Sequence, residues 1–225
     1  MYDVIIVGAG TAGCVAARQL AEQGKEVLII EKKSHIAGNC YDAKDEYGVL
    51  VHIYGPHIFH TDKEEVYTFL SHFTDWYSFR HEVVANVHGT YMPVPFNLHT
   101  LKLAFGEVEG KRLEQKLVAI YGMETRVPIL ELMNHEDEDL QRIGQFVYDN
   151  IYVYYTMKQW GKKPEEIDPA VTARVPVSIS YDSCYFADKY QGVPSKGFTH
   201  LFENMLHHDR ISVRLNTEAK DVLAI

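Results

Sequence analysis

Three glycines, Gly8, Gly10 and Gly13, followed by an acid at Glu31, are the residues of this chain whose types and spacing first suggest ligand chemistry. The pattern Gly-x-Gly-x-x-Gly suits phosphate binding. Gly8 permits a tight turn, Gly10 lets backbone approach a pyrophosphate at a helix N-terminus, and Gly13 allows a helix to pack closely on a strand. Glu31 is placed to accept hydrogen bonds from an adenosine ribose. A glycine turn without a ligand is the competing reading, and the flanking elements weigh against it. Val4-Ile5-Ile6-Val7 reads as a strand, and Cys14 to Gln23 carries Ala16, Ala17, Leu20 and Ala21 at helical spacing before Gly24 stops it. Val27-Leu28-Ile29-Ile30 is a second strand ending in the acid, and both β-branched runs suit buried strands of a parallel sheet. The set predicts an ADP-containing dinucleotide.

FAD and NAD share that fingerprint. A further glycine at Gly38, followed by Asn39, lies just after the ribose acid, where a loop can approach the rest of an extended cofactor. This resembles the flavoprotein oxidase and mutase group, whose usual motif has two glycines; here Ala37 replaces the first. Downstream, His52, His57 and His60 are spaced by five and three residues with Gly55-Pro56 between them. No helix holds that set on one face and no acid lies within the run, which argues against a metal site. The Gly-Pro turn instead brings backbone and aromatic edges against a planar ring, with His60 near the chemistry, while His52 reads equally well as a packing histidine. Tyr148 and Tyr152 read as core. Tyr155, Thr156 and Trp160 fall where a helix runs out and can face a cleft, where stacking on a nucleobase or sugar is worth about 1–3 kcal/mol. Arg174 is the only cation in the segment from Asp168 to Pro176, either a surface arginine or one that swings onto a phosphate.

These residues need a globular scaffold, and the composition supplies one. The 225 residues are 46% hydrophobic and 24% charged, enough apolar mass for a core. The net charge of -9 leaves no excess cation for a polyphosphate backbone, so nucleic acid is not an expected partner. Three scattered cysteines without a Cys-x-x-Cys argue against a disulfide framework or zinc site. The apolar run from Val4 is too short to cross a bilayer, so a cytoplasmic protein with no membrane partner is expected. Glu64 to Phe73 reads as a helix, and Ser78 to Phe96 as a hairpin turning at His88-Gly89. Helical periodicity covers Leu98 to Phe105, Lys111 to Tyr121, Ile129 to Met133 and Leu140 to Tyr155. The acidic run Glu136 to Asp139 suits a solvated helix start. Val175 to Tyr181 and Ile211 to Leu215 read as strands, with a helix from Phe198 to Leu206 between them.

In order along the chain, several blocks resemble bacterial UDP-galactopyranose mutase. They are the Gly8–Gly13 fingerprint, Glu31-Lys32, Gly38-Asn39, Tyr54 to Thr61, Phe96-Asn97, Lys158 to Gly161, Arg174 to Val177, and Tyr185 to Gly192. The His-Ile-Phe-His-Thr and Lys-Gln-Trp-Gly blocks are far more specific than the glycine motif. The resemblance implies an α/β fold: an FAD-binding Rossmann-like βαβ domain with an inserted helical subdomain and part of an antiparallel substrate-side sheet. It implies a flavin-dependent isomerase that interconverts UDP-galactopyranose and UDP-galactofuranose, for cell-surface polysaccharide, through a covalent flavin-sugar intermediate on reduced FAD. Carried over by residue, Gly8, Gly10, Gly13, Glu31, Lys32, Gly38, Asn39, His57 and Ile58 hold FAD, and His60 lies by the flavin as a catalytic residue. Tyr155 meets the uracil, and Thr156, Trp160 and Tyr185 meet the uridine and phosphates of UDP-galactose. Arg174, on a mobile loop, binds the pyrophosphate and serves catalysis. Relatives often carry an aromatic residue where this chain has Ile151.

The expected organisation is an FAD-binding domain over 1–76 and 197–225, antiparallel strands over 77–97 and 175–196, and a helical subdomain over 98–174 that admits a homodimer contact. Family members are substantially longer, so the chain is expected to be an N-terminal portion whose isolated turnover and flavin binding are weak or absent. An FAD oxidase of the amine-oxidase type shares the fingerprint but gives no reason for Arg174 or the Trp160 block. A catalytically inert nucleotide-binding fragment is the remaining alternative.

Overall fold

The two apolar runs around the glycines form β1 (Val4–Val7) and β2 (Val27–Ile30), paired in parallel with Val4 opposite Val27. β12 (Ile211–Arg214) joins the other side of β2, also in parallel, giving the order β1-β2-β12. α1 (Thr11–Glu22) makes the βαβ crossover that the sequence predicts. The structure, a computed structural model, describes residues 1–162, 166 and 176–222 and divides into two units: Met1–Phe79 with Asp188–Ile225, and Arg80–Ala187.

In the first unit, α1 buries Cys14, Ala17 and Ala21 against Leu201, Phe202 and Met205 of α8 (Phe198–Leu206). The alanines keep the two helices close. Every β2 side chain is buried, but β1 alternates, leaving Ile5 44% and Val7 62% exposed. The expectation that both strands are buried therefore holds for β2 alone. β1 ends the sheet, and among the described residues the helices cover only one of its faces. A second sheet orders β5 (Phe59–Thr61), β11 (Tyr190–Pro194) and β6 (Trp76–Ser78), with Gln191 opposite His60 and α2 (Glu64–Ser71) linking β5 to β6 along the chain. β3 (Asp42–Lys44) and β4 (Leu50–His52) form a hairpin. Asp42, 3% exposed, accepts from Phe198 N at 2.7 Å and Thr199 N at 2.9 Å, capping α8 from a distant strand.

In the second unit, β7 (Val83–Val87) and β8 (Thr90–Val94) turn at His88 and Gly89, with φ of 50° and 90°. Two left-handed residues in succession are what a tight primed hairpin turn requires. β9 (Thr125–Pro128) pairs with β10 (Pro176–Ile179). Around them α3 (Leu98–Phe105), α4 (Glu107–Tyr121), α5 (Ile129–Met133) and α6 (Glu138–Val147) enclose Phe96, Leu101, Leu117, Leu132 and Ile143, all at most 1% exposed. Each such side chain contributes about 1.5–3 kcal/mol of burial. The acidic run is more than a solvated helix start. Asp137 caps α6 by accepting from Asp139 N at 2.9 Å, and Asp137 and Asp139 also bind Lys116 of α4.

The helix predicted from Leu140 to Tyr155 forms, and one of its turns is widened. A π-helical turn, Tyr148–Tyr152, separates α6 from α7 (Val153–Trp160). The buried stripe runs Leu140, Ile143, Val147 and Ile151 on α-helical spacing, then slips by one residue to Tyr152 and Thr156. The wider turn absorbs that slip.

Candidate functional site

Gly13 is the residue that joins α1 to β1 most closely. A Cβ built there would lie 2.0 Å from the Gly8 carbonyl oxygen, so no other residue fits without moving backbone. Gly8 itself has φ of 102°, and its N–H donates to Ile30 O at 2.8 Å, tying the turn to the end of β2. Gly10 stands at the N-cap of α1, where no side chain caps the helix and no acid occupies its first turn. An uncapped helix start with no acid in its first turn is the arrangement that accepts a phosphate. A Cβ on Gly10 would meet only Gly38 Cα at 3.8 Å, so the fingerprint turn and the Gly38 loop lie side by side. In that loop Ala37, buried at 1% exposure, adopts φ of 72° and Gly38 φ of 60°. Ala37 is therefore held in the left-handed region that glycine adopts most readily. Lys32 and Asn39 lie with exposed side chains on the flanks of the same region.

Glu31 has a role that its spacing does not reveal. Its carboxylate, 7% exposed, accepts from Ala9 N at 2.7 Å with one oxygen and from Lys33 N at 2.8 Å with the other. It therefore organises the glycine turn from behind. A carboxylate offers about four acceptor sites, so these two bonds leave capacity for a ribose.

A cavity of about 230 Å³ adjoins this turn, lined by Thr11 at the start of α1, Cys40, His57, Ile58 and His60, with Phe198 and Leu201 beneath. It gathers three residues that the sequence assigned to the flavin region, and adds Thr11 and Cys40, which sequence reading missed. Cys40 Sγ lies 3.7 Å from Thr11 Oγ1, and burial raises its thiol pKa. The His57 ring donates from Nδ1 to Gly55 O at 2.9 Å, and its backbone N–H donates to His52 Nδ1 at 3.1 Å. His52 also meets the edge of Phe198, which fits the packing role. His60 pairs through Nδ1 with Asp188 Oδ2 at 3.0 Å, a partner 128 residues away that no local pattern discloses.

The residues assigned to the substrate fall in the second unit. Tyr155 and Tyr185 bring their hydroxyls to 3.3 Å, and burial, with the Tyr155 hydroxyl beside it, pushes Tyr185 up to about 12. Thr156 is 2% exposed, on the core side of α7. Ile151 is 5% exposed within the core, so it presents no face for stacking. Trp160 is the last residue of α7. Arg174 lies outside the described residues.

Residues 150–224 match the family described as UDP-galactopyranose mutase, and residues 6–73 match the NAD(P)-binding Rossmann-like domain. A probable UDP-galactopyranose mutase from Klebsiella pneumoniae is 39% identical over 217 residues, covering 96% of this chain and 56% of that protein. A dTDP-fucopyranose mutase from Escherichia coli is 39% identical over 216 residues, with the same two coverages. Among solved structures, a reduced UDP-galactopyranose mutase superposes with a TM-score of 0.59 at 18% identity, over 95% of this chain and 49% of that one. A putrescine oxidase variant gives 0.51 at 20% identity, over 96% and 51%. The chain spans about half the length of these proteins.

Proposed function

Taking the chain as a relative of the UDP-galactopyranose mutases over nearly its whole length, we propose that it binds FAD and serves the interconversion of UDP-galactopyranose and UDP-galactofuranose. The observation that carries this reading is the 39% identity to a probable mutase across 96% of the chain. The fit of the cofactor rests on the uncapped start of α1, the open approach at Gly10 and the buried carboxylate of Glu31.

When bound, reduced flavin supplies the nucleophile for the sugar's anomeric carbon. The chain's own residues bind and orient the cofactor and the nucleotide sugar. Gly10 and the first amides of α1 hold the pyrophosphate of FAD, while Glu31 keeps the turn in shape and receives the ribose. His60 lines the cavity beside the glycine turn, where it would contact a bound flavin. Tyr155 and Tyr185 offer hydroxyls to the nucleotide sugar; with Tyr185 near 12, its hydroxyl stays protonated at neutral pH and donates to a phosphate rather than repelling it. Arg174 neutralises the pyrophosphate through a charge-assisted contact worth about 1.5–3 kcal/mol.

The equal identity to a dTDP-fucopyranose mutase supports a second reading within the same chemistry, in which the nucleotide is deoxythymidine and the sugar a 6-deoxyhexose. Titrating the purified chain with FAD, followed by UDP, dTDP and putrescine, tests both. A flavin spectrum shifted by UDP is expected. A response to dTDP alone moves the reading to the second sugar nucleotide, a response to putrescine alone moves it to an amine oxidase, and no flavin binding even at FAD concentrations that would fill a weak site refutes it.

A further inference from the structure

His60 lines the cavity beside the glycine turn, and its Nδ1 lies 3.0 Å from Asp188 Oδ2. Asp188 is not among the lining residues, so it meets the ring from outside the cavity. Its loop is held on both sides. Lys189 N donates to Asp62 Oδ1 at 2.8 Å, Gln191 Nε2 donates to the Asp188 carbonyl at 2.8 Å, and Gln191 stands opposite His60 in the β5–β11 ladder. His60 thus rides on β5, while Asp188 lies in the loop two residues before β11 and is tied by these bonds beside the paired strands, which limits how far the two can separate.

We propose that Asp188 is a positioning residue that holds His60 in one tautomer, with the proton on Nδ1 and the acceptor lone pair on Nε2. The chemistry is general: a carboxylate accepts and cannot donate, so the nitrogen facing it must carry hydrogen, and the other nitrogen of a neutral ring is left with its lone pair. The same logic orients histidines in metal sites and hydrolase triads. It rests on the proposed flavin site only for the ligand that the ring, so oriented, would lie beside.

Imidazole ¹⁵N NMR of the cofactor-free chain at mildly alkaline pH reads the His60 tautomer directly. The Nδ1–H form should dominate. Asp188→Asn, whose amide can either accept from or donate to Nδ1, should lower the Nδ1–H to Nε2–H ratio about tenfold or more, the difference between a charge-assisted and an ambivalent neutral partner. Asp188→Glu should restore it in part. A ratio unchanged in Asp188→Asn, with the fold intact by circular dichroism, overturns the proposal. Adding FAD then decides its connection to the site: the bound flavin spectrum of His60→Ala should not change further on adding Asp188→Asn. A chain that takes up no flavin refutes the flavin site and leaves the tautomer result standing, whereas a further spectral change in the double variant shows that Asp188 acts other than through His60.

Discussion

Replacing Gly13 and Gly10 by alanine separates what the glycine turn does for the fold from what it does for a ligand. At Gly13 the new Cβ would lie 2.0 Å from Gly8 O and 3.1 Å from Gly8 C. An ordinary carbon–oxygen contact is about 3.3 Å, so α1 or the turn must move by about 1.3 Å. The turn is pinned by the Gly8 N–H bond to Ile30 O, so α1 has to lift, loosening the fully buried Cys14 and Ala17. Overpacking of this kind costs about 1–3 kcal/mol, and contact with backbone rather than a movable side chain places it at the upper end. Helix propensity returns up to about 1 kcal/mol. The net loss of about 2 kcal/mol corresponds to a melting temperature lower by about 4–8 °C in a chain of this size. At Gly10 the Cβ meets only Gly38 Cα at 3.8 Å, and φ of -78° with ψ of -179° suits alanine, so the penalty is the poorer N-cap, about 1 kcal/mol or less. Without cofactor, Gly10→Ala should therefore melt within about 3 °C of the parent, yet its FAD affinity should fall more than tenfold because the methyl occupies the pyrophosphate's approach. Differential scanning fluorimetry and FAD titration measure both. A Gly13→Ala variant as stable as the parent, or a Gly10→Ala variant with unchanged FAD affinity, refutes the reasoning.

Three further outcomes rest on the packing and the charges. Asp42→Ala leaves the Phe198 and Thr199 amides at the start of α8 without their acceptor and should cost about 1–3 kcal/mol, read as a lower urea midpoint at unchanged slope. Arg112, with Arg142 beside it, holds Glu109 down to about 2 from an ordinary 4.5, and Arg112 also lowers Asp139. Carboxylates depressed in the folded state stabilise it above their unfolded value and lose that contribution as pH falls through the folded one, so acid destabilisation should steepen between about pH 4.5 and 2 and flatten in Arg112→Met, as acid titration of the melting temperature will show. Burial pushes Cys14 up to about 12 and leaves Cys40 partly exposed, so maleimide labelling followed by mass spectrometry should modify Cys40 first, and FAD should slow it because Cys40 lines the cavity.

What could be read from the sequence divides by range. The βαβ unit was legible because each step is local: a β-branched run, three glycines and a helical stripe specify strand, turn and helix within residues 4–30, and the structure places β1, α1 and β2 there. The hairpin turn at His88-Gly89 and the helices Leu98–Phe105 and Phe198–Leu206 were legible for the same reason. Three features were not. The π-helical turn at Tyr148–Tyr152 exists because the apolar stripe slips by one residue, and Ile151 and Tyr152 are both apolar enough to belong to either register, so only the surrounding core decides. The exposed face of β1 depends on which elements cover the sheet, and its run of four apolar residues is silent on that. The Glu31 bond to Ala9, the Asp42 cap on α8 and the Asp188 partner of His60 join residues 22, 156 and 128 apart. Spacing assigns Glu31 to a ribose and gives Asp42 and Asp188 no role, yet each is used by the fold to fix a turn, a helix end or a ring. The residue types that bind a nucleotide are therefore written in short motifs, while the groups that hold them still are written in contacts between strands and helices that only the folded chain brings together.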